Sequence, residues 1–454
     1  MSKRRRTTPS KKRLTVLLVL CGAVFVLFAV RLAWMQFVMA DHYAQKVAEA
    51  SQTSYSVALP AARGDIVDRN GKILARDDTV YDLNLCLPAP EGTTLQQTWQ
   101  ILQDYQLTDA SGEDVETQLA AFFSAASAGE LTLAEGLTGA QAAALYATGL
   151  PQSGAVRLVA RGTRSWPDGT LLPHALGDTG PITAEQWEAE DYALRTAGVA
   201  MNAEIGQSGL EKVYDELLRG QDGRIRVSAG FDGTRSETVA QSPVPGDTLV
   251  LTLDSGLQKT VQAALQDRIR TLQTTTGAGA GRECNAGAAV VVDVQTGGVL
   301  AAASWPGYDL NTWRRDYTAL AADEGAPLLD RVCAGLYAPG SAFKPAVAAS
   351  ALAAGLITVE DTVNCTGRYL YYSGYQPGCL QLGHSGPVNL LTALRHSCNI
   401  YFYDVGRRLG VDAFSATAQQ LGLAADTGIE LPAAAGRLTW TTDENYQDGL
   451  ALQA

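Results

Sequence analysis

A long apolar segment lies near the start of the chain. From Leu14 to Val30 almost every residue is alanine, a large aliphatic residue or an aromatic residue. After Arg31 the apolar character resumes and continues to Val38. A helix needs about 20 apolar residues to cross a bilayer, and an arginine near its end can reach the lipid head groups. The pattern therefore predicts a single membrane-spanning helix over residues 14–38.

The charges around this segment predict its orientation. Seven basic residues precede it: Lys3, Arg4, Arg5, Arg6, Lys11, Lys12 and Arg13. Because basic flanks stay on the cytoplasmic side, residues 1–13 are predicted to form a cytoplasmic tail, with the bulk of the chain outside the cytoplasmic membrane. The alternative is a signal peptide cleaved after Val38-Met39-Ala40. The length of the apolar run and the position of Arg31 disfavour it.

Short strands and turns are predicted in the segment that follows. Asn70-Gly71 separates two apolar pairs, which is a strong β-hairpin signal. Residues 79–87 alternate between apolar and polar positions and predict another strand. Helical spacing predicts a helical insertion over about 93–150, and residues 209–220 predict a short amphipathic helix that ends at a glycine. The segment 39–250 is therefore predicted to form an extended, mostly β pedestal domain.

A change of composition near residue 250 predicts a second domain over residues 251–454. Residues 245–254 predict a strand, and a helix from about Ser255 to Leu272 carries its apolar residues on one face. Two apolar segments, 286–294 and 299–304, are joined by turn residues and predict a second hairpin. The predicted fold class is α+β, behind one transmembrane helix.

Composition and charge narrow the function classes. The chain has 454 residues, of which 46% are hydrophobic, and a formal net charge of −12. Since seven basic residues lie in the predicted tail, the remaining chain is more acidic still. An acidic surface repels phosphate backbones, so no nucleic-acid partner is expected.

Two motifs in the second domain predict nucleophilic catalysis. Serine needs a base within hydrogen-bond reach, and Ser341-Ala342-Phe343-Lys344 follows a Pro-Gly helix breaker. In a helix that begins near Ser341, residues i and i+3 share a face, which places Lys344 beside the hydroxyl. Burial would lower the pKa of Lys344 and make it a competent base. The alternative for this motif is a capped surface helix.

Ser397-Cys398-Asn399 is the second motif. Its outer two residues alternate along the chain, so Ser397 and Asn399 can point the same way. The alternative is that they form a pair of helix-capping residues.

Three cysteines and a histidine form a further candidate site. Cys365, Cys379, His384 and Cys398 follow the spacing Cys-x13-Cys-x4-His-x13-Cys. Three thiolates and one imidazole would complete a closed tetrahedral zinc site. Two alternatives remain open from the sequence. One is a Cys365–Cys379 disulfide with His384 as a plain loop residue, and the other is a set of unpaired thiols.

The order of the motifs resembles that of the class B penicillin-binding proteins, bitopic D,D-transpeptidases of peptidoglycan synthesis. Besides the two catalytic motifs, the segments that carry the resemblance are Arg63-Gly64…Asp68-Arg69-Asn70-Gly71, Arg164-Ser165-Trp166-Pro167…His174-Ala175-Leu176-Gly177, Ser208-Gly209-Leu210-Glu211…Arg219-Gly220, Leu251-Thr252-Leu253-Asp254, Asp293…Gly297 and Ser304-Trp305-Pro306…Asn311. The resemblance implies a pedestal followed by a transpeptidase domain of the DD-peptidase/β-lactamase fold. It covers the chain from the anchor to Ala454 and is looser over 93–150.

The resemblance also implies a reaction and its participants. Ser341 would attack the D-Ala-D-Ala carbonyl, Ser397 would relay a proton to the leaving amine, and Asn399 would bind the substrate amide and orient Lys344. No catalytic cofactor is implied. Stem peptides, a lipid-linked precursor polymer and covalently bound β-lactams are the implied ligands, and a SEDS-type glycosyltransferase is the implied membrane partner. Some elongation-type relatives hold a metal through Asp, Asp, His and Cys, so cysteines would replace both aspartates here.

One family motif is missing from this sequence. No Lys-Thr/Ser-Gly triplet follows Asn399, which predicts a C-terminally truncated transpeptidase domain with one of two oxyanion-hole donors lost. Activity of these 454 residues is then doubtful. Two other functions stay open: a β-lactam-sensing receptor or class D-like β-lactamase, and a non-catalytic envelope scaffold if the truncation is real. Elongation, division and sporulation roles are all compatible with the motifs.

Overall fold

The structure is a computed structural model that describes residues 11–39, 53–87, 129–149, 156–189, 199, 203–229, 235–275, 281–380 and 383–442. Its first helix, α1 (Lys11–Ala33), continues as a π-helical turn over Trp34–Val38. The most apolar 18-residue stretch within Leu14–Val38 has a mean hydropathy of 2.7, and none of it is buried against the rest of the described protein. Its length and composition are those of a helix able to cross a membrane, in agreement with the predicted apolar helix.

Three antiparallel strands form the sheet that follows the anchor in sequence. The order is β1-β8-β9, with β1 at Thr53–Leu59, β8 at Gly223–Ala229 and β9 at Arg235–Gln241. A two-stranded sheet pairs β6 (Thr179–Pro181) with β7 (Glu204–Gly206).

A larger sheet is built around one long strand. Strand β3 (Ile73–Leu87) pairs with β2 (Ile66–Val67) at its start and with β4 (Gly129–Leu137) and β5 (Val156–Ser165) along its length. Strand β10 (Leu249–Val250) pairs in parallel with β2. The predicted hairpin at Asn70-Gly71 is present, and Gly71 has the positive φ of +80° that this turn requires.

The predicted helical insertion is wrong for residues 129–137. This segment is strand β4, because pairing with β3 and burial of Leu133 and Leu137 override its weak helical spacing. Helix α2 (Gly139–Ala147) follows and is capped by Thr138 and Gln141. The stretch 93–128 lies outside the described residues.

Short helices complete the pedestal. They are α3 (Pro173–Leu176), α4 (Ala184–Ala189), α5 (Gly209–Val213) and α6 (Asp215–Arg219). The single helix predicted over 209–220 is thus divided at Tyr214, whose φ of −107° and ψ of 23° lie outside the helical range.

A buried ion network holds the pedestal elements together. Glu211 is fully buried and accepts hydrogen bonds from Arg63 Nε and Arg164 Nε, both at 2.6 Å. Asp215 accepts from Arg63 at 2.8 Å, and Asp77 pairs with Arg164 at 3.3 Å. Buried charges are tolerated only when they are paired. These contacts therefore fix the segment before β2, strand β5 and helix α5 relative to one another.

The pedestal and the second domain share a continuous core and a buried carboxylate. Burial raises the pKa of Asp68, but hydrogen bonds from the backbone N–H groups of Lys72, Ser255 and Asn70 outweigh it and lower the pKa to about 2. Since Ser255 begins α7 (Ser255–Thr274), Asp68 joins the first hairpin to that helix. One apolar cluster includes Ile66 and Leu74 of the pedestal and Leu310 of the second domain.

The second domain combines a hairpin with packed helices. Strands β11 (Gly287–Val292) and β12 (Val299–Trp305) pair antiparallel beside α7. The remaining elements in the described part of this domain are α8 (Trp313–Ala322), a 3-10 turn (Gly340–Phe343), α9 (Lys344–Ala353), β13 (Thr362–Cys365), β14 (Gly386–Asn389), α10 (Leu390–Arg395), α11 (Asn399–Leu409) and α12 (Val411–Gln420). A core that includes Val347, Val388 and Tyr401 joins α9, β14 and α11. The α+β prediction is confirmed.

We predict that Glu211→Gln lowers the free energy of unfolding by about 3 kcal/mol. The substitution removes the negative charge that neutralises the buried guanidinium groups of Arg63 and Arg164. Asp215 and Asp77 remain as partial partners, so the loss lies at the low end of the range for a broken buried pair. Denaturant unfolding of the purified protein in detergent measures it. The exposed pair Arg76–Asp78 is the control: Asp78→Asn should change stability by less than about 1 kcal/mol. Equal effects of the two substitutions would contradict the account.

Candidate active site

The first part of the site is a tight turn that opens onto a helix. Gly340 has a φ of +56°, and residues Gly340–Phe343 form a 3-10 turn that leads directly into α9 at Lys344. The predicted helix start near Ser341 is therefore one turn of 3-10 helix before the α-helix. Ser341 is exposed in this turn, whereas Lys344 is half-buried.

The second part is the corner between helices α10 and α11. Ser397 lies in the left-handed region with a φ of +50°, a conformation that costs a non-glycine residue about 1 kcal/mol. Cys398 caps α11 and is fully buried in the core. The side chain of Cys398 therefore points into the core, while Ser397 and Asn399 on either side of it face Lys344.

Lys344 is the centre of the site. Its Nζ donates to the Ser397 carbonyl at 2.8 Å, the Ser397 Oγ at 2.9 Å and the Asn399 Oδ1 at 2.7 Å. A protonated lysine has three N–H donors, and these three acceptors match them. Ser397 Oγ in turn donates to Ser341 Oγ at 3.0 Å. The structure therefore brings together all four residues predicted from sequence.

The connection between the predicted base, Lys344, and the predicted nucleophile, Ser341, is indirect in this structure. The i, i+3 spacing predicted Lys344 next to the Ser341 hydroxyl, whereas the hydrogen bonds run from Lys344 to Ser397 and from Ser397 to Ser341. Ser397 thus serves as a bridge between them. A chain of two hydroxyls and an amine can carry a proton in either direction when its hydrogens rotate.

Burial lowers the pKa of Lys344, and the nearby Cys379 and Cys398 oppose that shift. The Nζ atom also lies 5.6 Å from the ring centroid of Phe402. A lowered pKa increases the fraction of neutral amine at neutral pH, as a general base requires.

Asn399 connects the lysine to a neighbouring loop. Its Nδ2 donates to the Gly378 carbonyl at 3.1 Å, which leaves Oδ1 facing Lys344. Sequence reasoning did not identify Gly378. Gly378 contributes a backbone carbonyl, which every residue has, so its residue type gives no indication of this role. The one clue in the sequence is that Gly378 directly precedes Cys379.

The predicted metal ligands also come together. The candidate ligand atoms of Cys365, Cys379, His384 and Cys398 all lie within 4.8 Å of one another. Cys365 and Cys398 are buried, and Cys379 Sγ is 3.5 Å from His384 Nε2. No disulfide joins these sulfurs in the described part of the chain. His396 lies beside His384, with the ring centroids 5.7 Å apart.

The chemistry of this cluster fits a zinc ion. Burial and the neighbouring Cys379 and Cys365 sulfurs raise the pKa of Cys398 to about 12, so its thiolate needs a cation nearby to form. Three sulfurs and one imidazole nitrogen are the donors of structural zinc sites. The Nδ1 atom of His384 is buried, and within the described residues it has no hydrogen-bond partner.

Two family models match most of the chain. Residues 58–251 match the family model of the penicillin-binding protein dimerisation domain, and residues 287–444 match that of the penicillin-binding protein transpeptidase domain. The chain is 30% identical over 395 residues to peptidoglycan D,D-transpeptidase MrdA of Escherichia coli (strain K12), a match that covers 83% of this chain and 57% of the relative. It is 26% identical over 426 residues to stage V sporulation protein D of Bacillus subtilis (strain 168), covering 93% and 58%.

A solved structure shares the fold over nearly the whole chain. It is described as "Structural coordination of polymerization and crosslinking by a peptidoglycan synthase complex" and matches with a TM-score of 0.66 and 27% identity, covering 97% of this chain and 73% of that one. The chain belongs to the class B penicillin-binding proteins. It spans a little more than half the length of these curated relatives.

Proposed function

We propose that this protein is a peptidoglycan D,D-transpeptidase that cross-links stem peptides through an acyl-enzyme on Ser341. The observation that carries the proposal is the hydrogen-bonded chain from Lys344 through Ser397 to Ser341. Membership of a family whose curated relatives include D,D-transpeptidases supports the same reaction.

The geometry supports a definite sequence of proton transfers. With Lys344 neutral, the Ser397 hydroxyl turns to donate to Nζ, and the Ser341 hydroxyl donates to Ser397. Ser341 Oγ can then attack the D-Ala carbonyl while its proton passes through Ser397 to Lys344. The leaving amine of the terminal D-Ala takes the proton back along the same route. A second stem-peptide amine resolves the ester by the reverse path, which is cross-linking.

Asn399 has a positioning role in this scheme and a substrate-binding role by resemblance. Its Oδ1 accepts a hydrogen bond from Lys344 Nζ at 2.7 Å, and its Nδ2 donates to the Gly378 carbonyl.

The β-lactam-receptor, β-lactamase and scaffold alternatives have less support. The pedestal matches the dimerisation domain of penicillin-binding proteins, and the curated relatives described above include a transpeptidase.

We also propose the setting of the enzyme. Helix α1 anchors the chain in the cell membrane, with the basic tail in the cytoplasm and the site outside, as the positive charges before Leu14 favour. The structural relative belongs to a peptidoglycan synthase complex. A SEDS-type glycosyltransferase that supplies the lipid-linked polymer is therefore the membrane partner we propose, and β-lactams are the inhibitors.

We assign the sulfur cluster to one structural zinc ion. Cys365, Cys379, His384 and Cys398 would hold it, and the ion would supply the positive charge that lets buried thiolates form. Its role is to fix the loop that carries Gly378 against the corner that carries Cys398. The reaction at Ser341 needs no chemistry from the ion.

We predict that a fluorescent penicillin labels the native membrane-anchored protein covalently at Ser341. Ser341→Ala should abolish labelling, because no other serine shares the Ser397–Lys344 chain among the described residues. The matched control is Ser373→Ala, at an exposed loop position, which should keep wild-type labelling. Gel fluorescence and peptide mass mapping measure both. A stable label on another residue, or labelling of the Ser341→Ala protein, would refute the proposal. Rapid release of the drug would favour the β-lactamase alternative.

We predict about one zinc per chain and a cobalt-substituted form with thiolate-to-cobalt absorption bands. His384→Ala and Cys365→Ser should each reduce zinc affinity at least tenfold, because each removes one of four donors. Cys284→Ser, outside the cluster, should leave metal binding unchanged. Elemental analysis and competition with a chelator measure the binding. Zinc content that is unaffected by the His384 and Cys365 substitutions would exclude this site.

A further inference from the structure

The sulfur cluster is joined to the active site at two points in the chain. Cys398 lies between Ser397 and Asn399, and Cys379 follows Gly378, whose carbonyl holds the Asn399 amide at 3.1 Å. Any change in the spacing of these sulfurs is therefore transmitted to Ser397 and Asn399, the two residues that accept hydrogen bonds from Lys344. A carboxylate could ligate a metal in the same place, but only thiols add the possibility of oxidation.

The three thiols differ in access. Cys365 and Cys398 are almost completely buried, whereas Cys379 is partly exposed. An oxidant from solution therefore meets Cys379 first. Both buried sulfurs lie within 4.8 Å of it. A partly exposed thiol beside a second thiol that can resolve it is the arrangement of redox-sensitive cysteines.

We propose that Cys379 is an oxidation site, and that its disulfide with Cys365 or Cys398 slows acylation of Ser341. The oxidant we propose is a peroxide. The Cys379 thiolate attacks the O–O bond, which gives a sulfenic acid and releases water or an alcohol. The neighbouring thiol then attacks the sulfenic sulfur, and the sulfenic hydroxyl leaves with the thiol proton as water. Two thiols have lost two electrons, and the peroxide has gained them.

The size of the movement explains the effect on the site. Two sulfurs bound to one tetrahedral zinc lie about 3.8 Å apart for Zn–S bonds of about 2.3 Å, whereas a disulfide brings them to about 2.05 Å. The two sulfurs must therefore approach each other by more than about 1 Å, and since Cys365 and Cys398 are buried in the core, most of this movement falls on Cys379. The Gly378–Asn399 hydrogen bond, already 3.1 Å long, does not survive such a shift. Asn399 then no longer holds Lys344 in place, and a displacement of this order costs about tenfold or more in rate.

The test treats the native membrane-anchored protein, in detergent and freed of metal by a chelator, with hydrogen peroxide. We expect peptide mapping to find a disulfide that includes Cys379, and fluorescent-penicillin acylation to fall about tenfold or more. A thiol reductant should restore the rate. In the zinc-loaded protein the same oxidation should release the metal, which a zinc-responsive dye detects.

Two variants separate this site from general oxidation damage. Cys379→Asp keeps a metal-binding side chain and should make acylation insensitive to peroxide, while Cys284→Ser should remain as sensitive as the wild type. Circular dichroism of the reduced variants checks that they are folded. If Cys379→Asp is not folded, Cys379→Ser takes its place in the test. Peroxide sensitivity that persists without Cys379, or a Cys379 disulfide that leaves acylation unchanged, would overturn the proposal.

The inference rests on the proposed function, and the two can fail separately. If the reduced wild-type protein is not acylated at Ser341, the transpeptidase proposal fails. The oxidation of Cys379 can still be tested, because the disulfide map, the zinc release and hydrogen exchange in the 366–380 segment do not depend on acylation. If acylation occurs but no disulfide includes Cys379, the oxidation proposal alone fails.

Discussion

The position of one lysine side chain determines how the rest of the site is organised. Lys344 has three donors, and they are matched by two atoms of Ser397 and one of Asn399. Because the amine is half-buried, losing an acceptor would leave a charged donor unsatisfied, which is costly. The corner between α10 and α11 must therefore keep its left-handed turn at Ser397. Among the hydrogen bonds of the described residues, Ser341 is linked to Lys344 through Ser397 of that corner, so the proposed reactivity of Ser341 depends on the same geometry.

The corner is held from two sides. On the core side, Cys398 is fully buried beside Cys365 and within the apolar cluster of α9 and α11. On the cleft side, the Gly378 carbonyl fixes the amide of Asn399. The four-donor cluster of Cys365, Cys379, His384 and Cys398 connects these two supports, so the proposed metal and the proposed oxidation act on the catalytic geometry without contacting substrate.

The main features of the site could be predicted from the sequence because the residues of each motif lie close together along the chain. Ser341 and Lys344 share one turn, and Ser397 and Asn399 lie on either side of one residue. The bridge through Ser397 was not predictable, because it depends on how α9 packs against the α10–α11 corner. Gly378 was missed because its contribution is a backbone carbonyl. The clustering of Cys365, Cys379, His384 and Cys398 followed from residue types, although their distances depend on tertiary structure.

The fold was predicted unevenly for similar reasons. The apolar anchor, the Asn70-Gly71 hairpin and the α7 helix have strong local signals, and all appear in the structure. Strand β4 was assigned to a helical insertion because its pairing with β3 is a tertiary contact that outweighs local spacing. The buried Glu211 network was likewise invisible in sequence, since its partners lie about 50 to 150 residues away.

The pH dependence of acylation by a labelled penicillin tests the central claim most directly, namely that neutral Lys344 is the base for Ser341. Burial lowers the pKa of Lys344 from its usual 10.5. In the proposed mechanism the proton must be absent from Lys344, so the rate should rise with pH and level off at an inflection below 10.5. Lys344→Met should lose both the activity and the inflection, with Lys259→Met as a surface control. A rate that follows a pKa of 10.5, or an inflection that persists without Lys344, would contradict the account.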